Sequence, residues 1–222
     1  MSILKTHFQK LFEKSNDYYG SDRAEIIPFI PKTVRSSLEF GGGQGDFSAL
    51  VKNTFNAETW VVELNKQMSE IAATKNDRVV CMDAYEALEQ LPDQRFDSIF
   101  FLDILEHLID PYSLLHQCRD KLSKDGVVIA SIPNIRYYRA FKNFVFKGTW
   151  EYKESGIMDI THLRFFTYSS IQNMFKALGY DDVSIHGIHE SSSNGYRILN
   201  WLSFNRFWDV RFKHFIVVAK KS

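Results

Sequence analysis

The feature that most constrains this chain is a regular beat between Ser36 and Pro133. Short apolar runs alternate there with amphipathic stretches. "SSLEF", "TWVVEL", "RVVCMD", "RFDSIFFLDIL" and "GVVIASIP" read as strands, and "GDFSALVKNTF", "NKQMSEIAAT", "AYEALEQL" and "SLLHQCRDKL" read as helices. In the first helix Phe47, Leu50, Val51 and Phe55 fall on one face. Strands alternating with helices build βαβ units with right-handed crossovers and a mostly parallel sheet. The runs are continuously apolar, as expected of strands covered on both faces.

After Pro133 the beat breaks. "NIRYYRAFKNFVFKGTWEYKESGIMDITHLRFFT" is an insertion rich in aromatic and basic residues. A helix is expected over Ile135 to Gly148, with Tyr137, Phe141, Phe144 and Val145 on one face and Arg136, Arg139, Lys142 and Lys147 broadly opposite. The alternation resumes with a helix in "SSIQNMFKALGY", stopped at Gly179, and a strand in "DDVSIHGI". A polar loop leads to "YRILNWLSFNRFW", and a last strand is expected from Phe212 to Ala219. Ahead of the sheet, Ile3, Leu4, Phe8, Leu11 and Phe12 are spaced as in a helix, and "SDRAEIIPFIP" reads as a second helix capped by Ser21 or Asp22 and ended by Pro31. The expected organisation is one domain over 1–222: an N-terminal helical segment (1–35), a ligand-binding half (36–133), an inserted lid (134–167) and a closing helix with strands (168–222).

Charge narrows the partners. Lys+Arg and Asp+Glu both number 27, which argues against a dedicated nucleic-acid binder. The two cysteines, Cys81 and Cys118, form no ligand-spaced pair, so no metal site is expected and both are read as buried small hydrophobes. No apolar run reaches the roughly 18 residues of a membrane span, and the first residues lack a signal-type apolar core. A reducing, cytoplasmic setting is the expectation.

Behind the first strand lies "LEFGGGQGD". Loop glycines let a ligand touch backbone, and the following helix N-terminus favours negative charge. Gly41 and Gly43 fit the first two places of the dinucleotide fingerprint, but the third falls on Asp46, a carboxylate where a pyrophosphate would rest. With Glu39 before it, the loop suits a ligand bearing a positive group, such as S-adenosylmethionine. Glu39-Phe40-Gly41-Gly42-Gly43-Gln44-Gly45 resembles the [D/E]-x-G-x-G-x-G motif of class I S-adenosylmethionine-dependent methyltransferases. Glu63 ends the second strand about 20 residues on, where an acid grips a ribose diol. Asp83 follows the third strand, and "FFLDILEHLIDP" resembles the motif after strand four in that family.

The resemblance implies a Rossmann-like, doubly wound, seven-stranded sheet with the last strand antiparallel, and S-adenosylmethionine as cofactor, leaving S-adenosylhomocysteine. It implies that Glu39, Gly41, Gly43 and Gly45 hold the methionine part, Glu63 the ribose, and Asp83 with the backbone at Ala84 the adenine. Asp103 would line the path to the sulfonium methyl. Methyl transfer to a hydroxyl also requires that the proton leave, and histidine is the usual base. His107 in "LEHL" and His162 in "DITHLRFF" are the candidates, with Asp159 placed to orient His162 or to pair with Arg164 in a turn. "D-x-x-H-L-R-F-F-T" resembles a stretch of methyltransferases linked to sugar and polyprenyl biosynthesis. The expected acceptor is therefore a small molecule with a hydroxyl: a sugar, a quinone or a lipid-linked intermediate. The basic amphipathic segment 135–148 suits an anionic substrate or a lipid surface, and "WLSFNRFWDVRF" suits the same surface or a homodimer contact. Other readings stand beside this one: a partner subunit that binds the donor without chemistry, an RNA or protein methyltransferase, and, disfavoured by Asp46, a dehydrogenase.

Overall fold

A computed structural model describes residues 23–191 and 194–221. The expected first helix and the caps at Ser21 or Asp22 lie outside the described residues. A 3-10 helix, Ala24–Phe29, replaces the expected second α-helix. Pro28 lies inside it, and the ring that removes a backbone donor there also disfavours a regular α-turn.

Seven strands follow in one sheet: β1 (Ser36–Phe40), β2 (Glu58–Val62), β3 (Arg78–Val80), β4 (Phe96–Leu102), β5 (Leu122–Pro133), β6 (Tyr180–Glu190) and β7 (Phe212–Lys221). Their order is β3-β2-β1-β4-β5-β7-β6. The first five are parallel. The closing strand β7 inserts between β5 and β6, antiparallel to both. Helices α1 (Asp46–Phe55), α2 (Lys66–Ala72), α3 (Ala84–Gln90), α4 (Pro111–Lys121), α5 (Tyr138–Lys147), α6 (Tyr168–Ala177) and α7 (Asn194–Leu202) complete the described chain.

The continuous apolar strands are explained by two cores. One face buries Leu38, Phe40, Ile99, Phe101, Val128, Ala130 and Val217 against Leu88 of α3, Leu115 of α4 and Phe175 of α6. The other face buries Phe100, Leu102, Val127, Ile129 and Ile216 against Phe47 and Val51 of α1 and Ile26 of the 3-10 helix. Successive residues of β4 thus belong to opposite cores, as a two-residue side-chain period requires. Phe40 and Phe101, register partners on β1 and β4, stack at 5.1 Å. Cys118 is buried as expected, its thiol pKa raised by desolvation. Cys81 is instead exposed, because it lies just past the short edge strand β3.

The chain reverses direction along the sheet between β1 and β4, so the crevice at their carboxyl ends is the natural ligand site. Gly45 sets the approach to that crevice. It starts α1 at φ 73°, and an added Cβ would lie 2.3 Å from Asn76 Nδ2 and 2.9 Å from Ala72 Cβ. Asn76 Nδ2 donates to the carbonyls of Gly45 and Ala72, which fastens α2 to the glycine loop. We predict that Gly45→Ala loses about 2 kcal/mol or more by chemical denaturation, from the left-handed backbone and the displaced amide together. An unchanged unfolding midpoint would contradict this packing role.

Candidate functional site

A cavity of about 940 Å³ opens at the carboxyl ends of β1 to β4. The glycine loop forms its floor. Gly41, Gly42 and Gly43 line it, and side chains at the first two would collide with Ile104 and Val61. Glu63 holds the loop open: its Oε2 accepts the Gly43 N–H at 2.8 Å and its Oε1 accepts the Asn65 N–H at 2.7 Å. Asn65 in turn caps α2. Glu63 also lines the cavity, and its carboxylate has acceptor capacity beyond these two bonds. Asp83 caps α3, accepting the Tyr85 N–H at 2.8 Å, and lines the same cavity beside Ala84.

Glu39 is 4% exposed and borders the cavity. Its Oε2 accepts the Ser48 hydroxyl at 2.6 Å. Burial pushes its carboxyl up to about 7, opposed by that hydrogen bond. Asp103 follows β4 in the left-handed region at φ 54°. Ser131 donates to it at 3.0 Å, and Arg23 pairs with it while also donating to Ser131 at 2.8 Å. Arg23 is thus part of the cavity wall, together with Glu25, His189, Lys213 and His214. None of these was evident from sequence, because each is brought in from a distant segment without a local pattern.

Past Asp103 the chain turns through a short 3-10 helix, Leu105–His107. The insertion docks on it by backbone bonds: the N–H groups of Leu163 and Arg164 both donate to the Glu106 carbonyl. This brings the two candidate histidines together, their rings perpendicular with centroids 4.7 Å apart. His107 faces the cavity, whereas His162 is nearly buried behind it. His107 Nδ1 lies 3.2 Å from the Thr161 carbonyl, and His162 Nδ1 lies 3.1 Å from the Ile157 carbonyl. A carbonyl can only accept, so both Nδ1 atoms carry protons and both Nε2 atoms carry lone pairs in the neutral rings. Burial and then the neighbouring His107 lower the His162 pKa, which keeps that ring neutral. Glu106 lies against the pair, with His162 Nε2 3.9 Å from its Oε1. Its pKa is raised strongly, first by burial and then by Asp103.

A second cavity of about 720 Å³ adjoins the first through the shared wall residue Lys213. It lies between α5, the 149–158 stretch and Phe165, and Tyr137, Phe141, Phe144 and Trp150 line it.

The site residues anticipated from sequence divide by location. Glu39, Gly41, Gly43, Glu63, Asp83, Ala84, Asp103 and His107 line the first cavity. Gly45 does not; it packs α1 on α2 instead. Asp46 is also off the wall and is paired with Lys75 Nζ at 2.5 Å, so its charge bears less on a ligand than its place in sequence implies. Asp159 does not hold the His162 ring; it accepts from Thr161 N and Oγ1, and the Ile157 carbonyl holds the ring. Arg164 Nη2 donates to the Ile109 carbonyl at 2.5 Å rather than pairing with Asp159. Arg136 and Arg139, expected on the face opposite the aromatics, line the second cavity with them.

Comparison with known proteins agrees with this geometry. The profile of a methyltransferase-domain family matches residues 12–185. A search of curated proteins gives no match. A solved S-adenosylmethionine-dependent methyltransferase from Archaeoglobus fulgidus is 23% identical with a TM-score of 0.69, over 98% of this chain and 99% of that one. A Thermotoga maritima protein described as a possible histamine N-methyltransferase is 17% identical with a TM-score of 0.65, over 92% and 89%. Phosphoethanolamine N-methyltransferase 2 of Haemonchus contortus, solved with S-adenosylmethionine, is 17% identical with a TM-score of 0.60; the match spans 90% of this chain but 52% of that one. With the glycine loop, the acids at three successive strand ends and the antiparallel closing strand in place, the chain belongs to the methyltransferase-domain family and is a class I S-adenosylmethionine-dependent methyltransferase.

Proposed function

We propose that the protein transfers a methyl group from S-adenosylmethionine to a hydroxyl of an anionic or amphiphilic small molecule, such as a sugar, a quinone or a lipid-linked intermediate. The observation that carries this reading is the second cavity. It is large enough for a small-molecule acceptor, it meets the donor cavity at Lys213, and it combines aromatic walls with Arg136, Arg139 and Lys153. An aromatic or isoprenoid body would fill the apolar part, and the cations would offset a phosphate or carboxylate. Phosphoethanolamine N-methyltransferase 2 of Haemonchus contortus, solved with phosphomonomethylethanolamine and S-adenosylhomocysteine, supports a phosphate-bearing ligand in a protein of related fold.

On the donor side, the ribose hydroxyls would donate to Glu63, the adenine amino group to Asp83, and the ammonium would sit toward Glu39. The sulfonium methyl would then face Asp103 and His107, the border with the acceptor. In-line displacement at carbon needs alignment above all, and holding both partners supplies roughly 7–11 kcal/mol of the barrier. The hydroxyl would lose its proton on the His107 side.

Helices α5 and α7 both contact the 3-10 helix Trp208–Arg211, and the surface near them exposes Phe146, Trp201 (76%) and Phe204 (95%). Lys142, Lys147 and Arg206 are part of these same segments. Such a surface suits contact with anionic lipid, which would deliver a lipid-linked acceptor to the cavity. Among the described residues no helix is long and apolar enough to cross a membrane.

Three outcomes are expected. Donor affinity should tighten about fivefold or more between pH 6 and 7.5, because the ammonium needs Glu39 ionised and that carboxyl holds its proton up to about 7. Calorimetry would show a flat profile for Glu39→Gln; an equal slope in that variant would remove Glu39 from the ammonium site. His107→Ala should lower turnover about 100-fold or more on a hydroxyl acceptor while the S-adenosylhomocysteine dissociation constant stays within twofold; unimpaired turnover would sink its role. Co-sedimentation should be seen with phosphatidylglycerol vesicles and not with phosphatidylcholine vesicles, and Phe204→Ser with Trp201→Ser should abolish it. Equal recovery of the double variant would refute the lipid contact.

A further inference from the structure

We propose that Glu106, His107 and His162 form a binding site for one divalent first-row transition-metal ion at the border of the donor and acceptor cavities. The sequence gives no sign of such a site, since no ligand spacing links "LEHL" to "DITHL". Folding of the insertion onto the 3-10 helix creates it.

The state of Glu106 is the first observation. Its side chain is buried, at 1% residue exposure, and neither carboxylate oxygen has a hydrogen-bond partner among the described residues. A buried carboxylate is retained when it is paired with a cation or coordinates a metal. The polar atom facing it is an acceptor, His162 Nε2 at 3.9 Å, too far for a hydrogen bond. Asp103 adds negative potential instead of relieving it.

The histidines supply the second observation. Each donates Nδ1–H to a backbone carbonyl, of Thr161 and of Ile157. This is the outer-shell arrangement that fixes a metal-binding imidazole in the tautomer with an Nε2 lone pair. Asp159 tightens the same turn by accepting from Thr161. One ligand atom from each of Glu106, His107 and His162 lies within 4.8 Å of the others. Metal–nitrogen and metal–oxygen bonds of about 2.0–2.2 Å would draw these atoms in by roughly 1 Å, within the reach of side-chain adjustment.

Two imidazoles with one carboxylate select zinc, iron or manganese over calcium. Three protein ligands leave coordination positions open, the pattern of catalytic rather than structural sites. His107 lines the donor cavity, so the open positions would face the acceptor. Resting on the hydroxyl-acceptor reading, the ion would bind the acceptor oxygen and favour loss of its proton; binding of the ion itself is independent of that reading.

The test uses the full chain, dialysed against a chelator and titrated with Zn²⁺ and Mn²⁺. One equivalent is expected to bind at micromolar or lower free metal and to raise the melting temperature. Glu106→Gln and His162→Ala should each weaken binding at least tenfold. Glu106→Gln should also melt, without metal, at or above the temperature of the unsubstituted protein, since it removes a buried carboxyl with no hydrogen-bond partner among the described residues. S-adenosylhomocysteine binding, measured in parallel, confirms that each variant is folded. Absence of binding in a protein that binds S-adenosylhomocysteine would overturn the site, as would binding that persists unchanged in both variants or is lost only in Cys81→Ser. Metal binding as predicted without methylation of any hydroxyl would leave the site standing and sink the acceptor reading alone.

Discussion

The glycine loop and the donor cavity depend on one carboxylate. Glu63 sits at the end of β2 and receives two backbone N–H groups, one from Gly43 in the loop and one from Asn65 at the start of α2. Charge-assisted bonds of this kind are stronger than neutral ones. They fix the loop after β1 against the end of β2 at a residue that also lines the cavity. The same group that shapes the floor also lines the cavity, so in the proposed reading loop geometry and diol recognition would share one residue. Asn76, which ties Gly45 to Ala72, performs the matching fastening on the other side of the loop.

The cavity is divided by charge. Its donor side is lined by acids: Glu39, Glu63 and Asp83, with Asp103 near the methyl path and held by Arg23. The adjoining second cavity, proposed to hold the acceptor, is aromatic and basic, and Lys213 stands at the junction. A cationic donor and an anionic acceptor would each meet complementary potential, which positions them without covalent help from the protein. Glu106, His107 and His162 converge at the border of the two halves, where the proposed methyl transfer would take place.

Most of the fold was legible because its cause is local. Continuous apolar runs alternating with amphipathic helices gave the sheet its strands, and residues of β4 such as Phe100 and Phe101 are apolar on both sides because two cores need them. The strand-end acids Glu39, Glu63 and Asp83 were legible for the same reason, as each sits at a boundary that pattern alone defines. What escaped was made by distant pairing. Arg23 meets Asp103 and Ser131, which lie 80 and 108 residues further along the chain, and no periodicity reports that. Asp46 stands in the sequence as an obstacle to a phosphate, but Lys75, on the turn after α2, pairs with it. The convergence of Glu106 with His162 arises only once the insertion folds back on the 3-10 helix after β4, and the pairing of Arg136 with Asp209 likewise joins segments far apart in the chain.

The central claim is that a cationic nucleoside, not a dinucleotide, occupies the crevice between β1 and β4. The most direct measurement is a crystal structure of the protein with S-adenosylhomocysteine. The account predicts the ribose diol on Glu63, the adenine amino group on Asp83, the amino-acid end over Gly41 to Gly43, and the sulfur facing His107. Density for the nucleoside away from Glu63 and Asp83, or a cavity that admits NAD and excludes S-adenosylhomocysteine, would contradict it.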